Sequence, residues 1–217
     1  MFLVLPYKVD VQSRRKPFAS YLVMFAMMVV FALQQTYLKG KTGPFELTDW
    51  SVREMFGYMW LHDGYIHIIF NLIFLWVFGN AVCSKVGNFL YIPLYVAMGL
   101  ASAALHLAFD DRTAVGASGA LYGVIGIYFV LYPFNSIKCL FWFLAYLRRF
   151  SVAGFWIILT RVALDVLGAV TGYMGGTAYF AHIGGFVSGV IIAILLLTTK
   201  LVVRDSMDDA IVRSIKI

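Results

Sequence analysis

Six long apolar segments, separated by short polar connections, dominate the pattern of residues along the chain. Each segment has 17 to 21 residues and few charges, close to the roughly 20 apolar residues that an α-helix needs to cross a bilayer. The pattern predicts an all-α, polytopic membrane protein built as a bundle of six transmembrane helices. The segments cover residues 17–33, 65–82, 89–109, 115–131, 152–170 and 179–197.

Three of the connections have patterns of their own. Residues 50–60 are amphipathic, and we expect them to lie in the membrane interface rather than to cross the bilayer. Residues 137–150 are aromatic and basic, but their apolar stretch is too short for a transmembrane helix. We therefore predict an interfacial hairpin there. Glycines mark residues 171–178 as a loop between the last two segments.

Composition supports the membrane assignment and argues against nucleic-acid binding. Hydrophobic residues make up 62% of the 217 residues and charged residues 13%, whereas soluble domains are roughly half apolar and a quarter charged. The net charge of +6 does not indicate a nucleic-acid partner, because the positive charges form short clusters between apolar segments. Cys83 and Cys139 lack metal-ligand spacing and lie near segment ends that we predict to be cytoplasmic. We expect no metal, no other cofactor and no disulfide framework.

The distribution of positive charge predicts the orientation of the chain. With a cytoplasmic N-terminus, 12 of the 17 Lys and Arg residues face the cytoplasm, four face outside, and Arg161 lies within the fifth segment. This asymmetry follows the positive-inside rule and predicts that both termini are cytoplasmic. We therefore divide the chain into a cytoplasmic N-terminal segment (1–16), a membrane domain (17–199) and a cytoplasmic tail (200–217). The absence of an Arg- and Ser-rich transit peptide favours a bacterial inner membrane.

A run of small residues, 116–123, contains a hydroxyl and begins near the outer end of the fourth segment. Such runs commonly serve helix packing, so the run alone does not distinguish packing from catalysis by Ser118. Helix direction, however, brings His67 and Asn71 of the second segment and His182 of the sixth to the same outer half of the membrane. Polar groups are costly in hydrocarbon, and four of them at one depth indicate function.

The chemistry that fits these groups is acyl transfer. A serine hydroxyl becomes an effective nucleophile when an adjacent base removes its proton, and His182 is the available imidazole for Ser118. His67 and Asn71 are four residues apart and share one helix face. Each can donate a hydrogen bond to a tetrahedral oxyanion, together with the backbone N–H of the serine. Tyr122 lies one turn below the serine, placed to pack under the His182 ring. The sequence shows no obvious carboxylate as a third member.

Three short motifs resemble those of the rhomboid family of intramembrane serine proteases, across essentially the whole six-helix length. Each motif is weak alone, but together they occur in the family's order and on the expected helices. Gly116 belongs to the first motif and, by the same resemblance, supports the catalytic residues. The motifs are Gly116-Ala117-Ser118-Gly119 with Tyr122, His67-x-x-x-Asn71, and Ala181-His182-Ile183-Gly184-Gly185 followed by Gly189.

The resemblance also implies roles and an activity. Ser118 and His182 form the catalytic dyad in this interpretation, His67 and Asn71 line the oxyanion hole, and Tyr122 supports the dyad. The expected activity is that of a serine endopeptidase that cleaves transmembrane segments of membrane proteins near their outer ends, commonly after a small residue. This activity needs neither ATP nor metal. The expected partners are transmembrane protein substrates and the lipid bilayer.

Two positions depart from the family pattern. The family usually has a Trp-Arg pair in the first loop, where residues 52–54 of this chain are Val, Arg and Glu. It often has a glutamate after the glycine near the end of the second helix, where Cys83 follows Gly79 here. Both positions are structural in the family, so these departures concern loop anchoring and stability rather than chemistry. His62 stands where the family tends to have a histidine, although a solvated side chain is an equal alternative.

Other polar groups within the spans have structural interpretations. Arg161 and Asp165 are four residues apart in the fifth segment and can form an ion pair, which lowers the cost of keeping charge in lipid. A role for Asp165 as a third member beside His182 is less favoured than such an ion pair or a polar feature of the substrate gate. His106, near the outer end of the third segment, is predicted to be a structural hydrogen-bonding residue.

Two functions from other classes stay open at this point. A catalytically silent rhomboid-like protein that binds membrane proteins has the same fold, but such proteins typically lack the serine or the histidine that this chain has. A small transporter would use the intramembrane Arg161, Asp165 and histidines as its pathway. The sequence shows neither the repeat halves nor the paired broken helices that are typical of transporters.

Overall fold

The structure is a computed structural model that describes residues 2–11, 15–144, 146–172 and 176–203. Parts of four predicted regions lie outside the described residues: 1 and 12–14 of the N-terminal segment, 145 of the hairpin, 173–175 of the glycine-rich loop and 204–217 of the tail. Eight α-helices and three β-strands occur within the described part. The helices are α1 (Phe18–Tyr37), α2 (Val52–Gly57), α3 (Tyr65–Phe74), α4 (Asn80–Val86), α5 (Asn88–Phe109), α6 (Ser118–Leu131), α7 (Gly154–Thr171) and α8 (Tyr179–Thr198), and the strands are β1 (Phe2–Val9), β2 (Ser136–Phe143) and β3 (Tyr146–Ala153).

Among the described residues, five helical stretches are long and apolar enough to cross a membrane, which confirms a polytopic helical membrane bundle. They are 18 to 22 residues long and comprise α1, α5, α7, α8 and the continuous stretch Tyr65–Val86. In that stretch a π-helical turn, Leu75–Gly79, joins α3 to α4. The remaining predicted span is the shorter apolar helix α6, with 14 residues. It begins at Ser118 rather than at 115, because Gly116 has a backbone φ of +121° that no α-helix accommodates.

The helix α6 lies at the centre of the bundle. Eleven of its 14 residues are buried, whereas the five long apolar helices are at most half buried. Protein rather than lipid therefore covers most of the surface of α6. Its most extensive neighbours are α8 and α5. The core therefore forms around the helix that begins with Ser118, which makes the position of that serine dependent on the whole bundle.

Glycines let α6 and α8 approach until their backbones touch. A Cβ added to Gly185 would lie 1.9 Å from the carbonyl oxygen of Gly119, and one added to Gly189 would lie 1.9 Å from the carbonyl oxygen of Gly123. From the opposite helix, a Cβ on Gly126 would lie 2.4 Å from a backbone oxygen of α8. Small residues commonly line such close helix contacts in membranes. Here they fix the separation between the helices that carry Ser118 and His182.

A small antiparallel sheet accompanies the helices, with the strands in the order β1, β2, β3. The strands β2 and β3 pair from Ser136 with Ala153 to Phe143 with Tyr146. This confirms the hairpin predicted at residues 137–150, and its interfacial location stays a prediction. The all-α description omitted the sheet, because burial alternates only over the first half of β2 and most of β3 is exposed. The strand β1, from the predicted N-terminal segment, pairs with β2.

The connection before α3 is anchored by a carboxylate. Ser51 caps α2 by accepting a hydrogen bond from the backbone N–H of Glu54. Oε2 of Glu54 in turn accepts from the N–H of Thr48 at 2.9 Å, from its hydroxyl at 2.7 Å and from the N–H of Asp49 at 2.8 Å. These bonds, the Thr48 hydroxyl first among them, lower the pKa of Glu54 from 4.5 to about 2. This residue therefore holds the loop in which the family's Trp-Arg pair is missing.

Candidate active site

Ser118 and His182 meet where the first turn of α6 contacts the first turn of α8. Ser118 is the first residue of α6, and His182 is 7% exposed. Nε2 of His182 lies 3.0 Å from Oγ of Ser118, which is a hydrogen-bond distance. With its proton on Nδ1, the imidazole can accept a hydrogen bond from the serine hydroxyl at Nε2. This is the arrangement of a nucleophile with its general base.

The ring of Tyr122 supports the imidazole from one side. The two rings are parallel within 8°, and their centroids are 4.1 Å apart. Nε of Arg161 on α7 donates a hydrogen bond of 2.9 Å to the Tyr122 hydroxyl. The position of Tyr122, one turn after Ser118 on α6, therefore places its ring under His182, as its spacing in the sequence predicts. The contact with Arg161 ties this stack to a third helix.

His67 packs directly against the backbone that precedes the serine. A Cβ on Gly116 would lie 2.6 Å from Cε1 and 2.7 Å from Nε2 of the His67 ring, so no side chain fits there. The positive φ of Gly116 adds a second reason for glycine at this position. Its N–H donates to the carbonyl oxygen of Tyr58 at 2.9 Å, which fixes the turn. The ring of His67 thus contacts the residue that precedes Ser118 by two positions.

Asn71 lies one turn after His67 on α3 and is 4% exposed. Its Nδ2 has no hydrogen-bond partner within the described part of the chain. Buried amide groups are nearly always hydrogen-bonded, so an unused buried donor calls for a functional explanation. A donor kept free until negative charge develops on a substrate oxygen is what an oxyanion hole requires.

Asp165 and Arg161 do not form the ion pair that their spacing predicted. Among the described residues they contact other members of the site instead. Oδ2 of Asp165 lies 3.4 Å from Nδ1 of His182, while Arg161 binds the Tyr122 hydroxyl. The prediction was wrong because i, i+4 spacing allows a local pair, whereas the rotation of α7 directs both side chains towards α6 and α8. The carboxylate of Asp165, the less favoured candidate for a third member in the sequence, therefore lies beside the imidazole.

Two structural residues of the site had no clear signal in the sequence. The Ser102 hydroxyl on α5 donates to the carbonyl oxygen of Ala181 at 2.7 Å, next to His182. Tyr58 is buried, and its hydroxyl donates to the carbonyl oxygen of Gly99 at 2.8 Å. Both tie the loop and α8 to α5. In the sequence, each of these two residues is one hydroxyl group among apolar neighbours, and many other residues of the chain have the same surroundings.

The remaining two histidines have structural surroundings. His62 is buried against the ring of Phe31 and against His67, so the solvated alternative was wrong. Burial, followed by the nearby His67, lowers the pKa of His62 to about 3. The backbone of His62 exchanges hydrogen bonds with the side chain of Gln34. His106 contacts the carbonyl oxygen of Arg112 at 2.7 Å, which confirms its structural role.

Metal-binding residues do not gather anywhere in the described part of the chain. No group of three or more His, Cys, Asp or Glu side chains has the geometry of a metal site there. Cys83 and Cys139 are both free and buried.

The fold and the site define a multi-pass helical membrane protein with a serine and a histidine in contact at the start of two packed helices. A sequence model of the Rhomboid domain matches residues 49–199, and the chain belongs to the rhomboid family. The match includes every residue of the site. This shows the family for the greater part of the chain.

Individual relatives are more distant. The chain is 31% identical to Rhomboid protein 1, mitochondrial, of Saccharomyces cerevisiae over 60% of its length and 38% of the relative's. It is 29% identical to RHOMBOID-like protein 5 of Arabidopsis thaliana, over 64% and 42% of the two lengths. It is 28% identical to Rhomboid protease GlpG of Salmonella typhi, over 56% and 46%. The chain thus matches less than half of the length of each relative.

Proposed function

We propose that this protein is an intramembrane serine endopeptidase that cleaves transmembrane segments of other membrane proteins near their outer ends. The observation that supports the proposal is the 3.0 Å contact between Oγ of Ser118 and Nε2 of His182. One of the relatives described above is named a rhomboid protease, GlpG of Salmonella typhi. A serine with an adjacent base, inside a bundle of apolar helices, has acyl transfer as its natural chemistry.

The proposed reaction begins with proton transfer. As Oγ of Ser118 attacks the scissile carbonyl carbon, Nε2 of His182 takes the hydroxyl proton, and the carbonyl oxygen becomes an oxyanion. Collapse of this intermediate breaks the C–N bond, and the imidazolium donates its proton to the leaving amine. Water then attacks the acyl-enzyme with the imidazole again as base, which releases the carboxylic acid and restores the serine.

The oxyanion is proposed to bind at the N-terminus of α6. The first N–H groups of a helix have no partner within the helix and carry partial positive charge, and Ser118 is the first residue of α6. The free Nδ2 of Asn71 and the ring of His67 against Gly116 supply further donors from α3. A site built from three fixed donors stabilises charge without reorganisation.

The orientation of the site follows from the distribution of charge. With 12 positive residues on one side and four on the other, both termini are proposed to be cytoplasmic, and Ser118 lies in the outer half of the membrane. Water for the second half of the reaction then reaches the site from the outer face. The substrate segment is cleaved close to that face.

A catalytically silent protein that binds membrane proteins is the second candidate. The fold alone does not distinguish a protease from a silent binding protein, because both classes have the same helical bundle. The contact between Ser118 and His182 favours the enzyme, since a binding protein has no need of a hydroxyl within reach of an imidazole.

Reconstitution in liposomes with a generic transmembrane substrate tests the proposal. We expect the wild type to cleave the substrate, and Ser118→Ala and His182→Ala to be inactive. Ser188→Ala is the matched control, because that hydroxyl bonds only within α8, to the carbonyl oxygen of Gly185, and should leave cleavage intact. Cleavage by Ser118→Ala, or a folded wild type that is inert towards several substrates, would exclude this mechanism and favour the silent protein.

A further inference from the structure

The helix α7 contributes two charged side chains to a site otherwise built from α3, α6 and α8. Asp165 is 2% exposed, and its carboxylate lies against His182. Arg161, one turn earlier, reaches Tyr122. Charged groups are expensive within the membrane and are usually kept for function. Two of them on one helix, both directed at the serine–histidine pair, call for an explanation beyond packing.

The imidazole of His182 lies between the serine hydroxyl and the carboxylate. Nε2 is 3.0 Å from Oγ of Ser118, and Nδ1 is 3.4 Å from Oδ2 of Asp165. Neither Nδ1 nor Oδ2 has a hydrogen-bond partner in the described residues. At 3.4 Å, each is available to the other as a partner. Their separation is only slightly longer than an ordinary N–H···O bond, and bonds of this kind commonly tighten when substrate binds.

We propose that Asp165 is a positioning residue for His182, which extends the dyad to an array of Ser118, His182 and Asp165. The inference rests on the proposed function. The carboxylate holds the proton of the neutral imidazole on Nδ1, which leaves Nε2 free to accept the serine proton. When Nε2 takes that proton, the carboxylate stabilises the imidazolium. Asp165 remains ionised throughout and exchanges no proton with substrate.

The other groups that face the imidazole are consistent with this role. Tyr122 stacks on one face of the ring, and the Arg161 bond holds that tyrosine. His67 lies on the α3 side of the site, where its ring packs against Gly116. Of the charged and titratable groups that face His182 from α3, α6 and α7, only Asp165 carries negative charge, so it alone stabilises a positive imidazolium.

A purely structural role for Asp165 is the alternative to be separated. The helix α7 is the least buried of the five long apolar helices, and a buried carboxylate could serve only to attach it to the bundle. Attachment and positioning predict different results. A loss of attachment lowers thermal stability and alters substrate access, whereas a loss of positioning lowers the reactivity of Ser118 itself, even towards a small reagent.

The experiment compares wild type, Asp165→Asn and Asp165→Glu in liposomes, with Val166→Ala on the exposed face of α7 as control. Two rates are measured: cleavage of a transmembrane substrate, and labelling of Ser118 by a fluorophosphonate. In the labelling reaction Oγ bonds to phosphorus, fluoride leaves, and His182 takes the hydroxyl proton. We expect Asp165→Asn to lower kcat and labelling together by about 100-fold or more, with little change in KM. Asp165→Glu restores part of both rates.

The outcomes are distinguishable from a failure of the proposed function. A folded wild type that neither cleaves nor labels contradicts the protease itself. An active wild type with unchanged labelling of Asp165→Asn overturns the positioning role, even if cleavage falls. If Asp165→Asn does not fold, Asp165→Glu decides: normal stability with slower labelling supports the role, and labelling at the wild-type rate overturns it.

Discussion

The ring of Tyr122 lies flat on the imidazole of His182, with centroids 4.1 Å apart and planes within 8° of each other. The face of the Tyr122 ring contacts the imidazole, whereas its hydroxyl accepts a hydrogen bond from Arg161. The two contacts can therefore be removed separately. We expect Tyr122→Phe to keep most of the activity, and Tyr122→Ala to lower kcat about tenfold, as a lost aromatic contact of this kind allows.

The measurement is kcat and KM for a transmembrane substrate in liposomes, with the melting temperature of each variant. Equal losses for the two Tyr122 variants would show that the bond to Arg161, and not the stack, positions the imidazole. Unchanged activity of Tyr122→Ala would contradict support of His182 by this ring altogether.

Two asparagines provide a matched test of the oxyanion site. Asn71 keeps an unused buried donor, whereas Asn88 accepts from the N–H of Ala19 at 2.9 Å and donates to the carbonyl oxygen of Lys16 at 3.1 Å. We expect Asn71→Ala to lower kcat by about 100-fold or more, the typical cost of losing one oxyanion donor. Asn88→Ala should leave kcat unchanged and lower stability.

Thermal unfolding in detergent completes this test. Removal of an unpaired buried donor forfeits no hydrogen bond, so Asn71→Ala should lower the melting temperature less than Asn88→Ala does. Loss of activity from both variants in proportion to their loss of stability would assign Asn71 a structural role.

The membrane bundle and the contact between Ser118 and His182 were predictable from the sequence, whereas features that depend on helix rotation or on weak patterns were not. Ser118, His67, Asn71 and His182 were predictable because polar groups are rare in membrane spans and their spacing matched family motifs. Which side chain Asp165 contacts could not be decided from the sequence, because the contact depends on how α7 is rotated about its axis. The hairpin at residues 137–150 was predicted, but its extension by β1 into a sheet was not, because burial alternates over only part of β2 and hardly at all in β3.

Contact between backbones at Gly185 predicts that this position tolerates no side chain. A Cβ there would lie 1.9 Å from the carbonyl oxygen of Gly119, and backbone cannot move aside as a flexible side chain can. We expect Gly185→Ala to destabilise the protein by about 3 kcal/mol or more, the upper range for overpacked cores, and to separate His182 from Ser118. Val187→Ala, on the exposed face of α8, is the control. Unfolding by denaturant in mixed micelles measures both, and a stable, active Gly185→Ala would contradict this close packing.

The carboxylate of Glu54 predicts how acid affects the first loop. Its pKa is lowered from 4.5 to about 2, chiefly by the hydroxyl of Thr48 and next by the N–H of the same residue. A carboxyl group whose folded pKa is depressed stabilises the protein fully above its unfolded pKa, and this contribution is lost as the pH falls through the folded value. We therefore expect the melting temperature of the wild type to exceed that of Glu54→Gln most above pH 5, and the difference to shrink between about pH 4.5 and 2. Thr48→Val removes the strongest of these hydrogen bonds and should move this loss of stability to higher pH. A difference between wild type and Glu54→Gln that stays constant across this range would show that the ionised carboxylate does not anchor the loop.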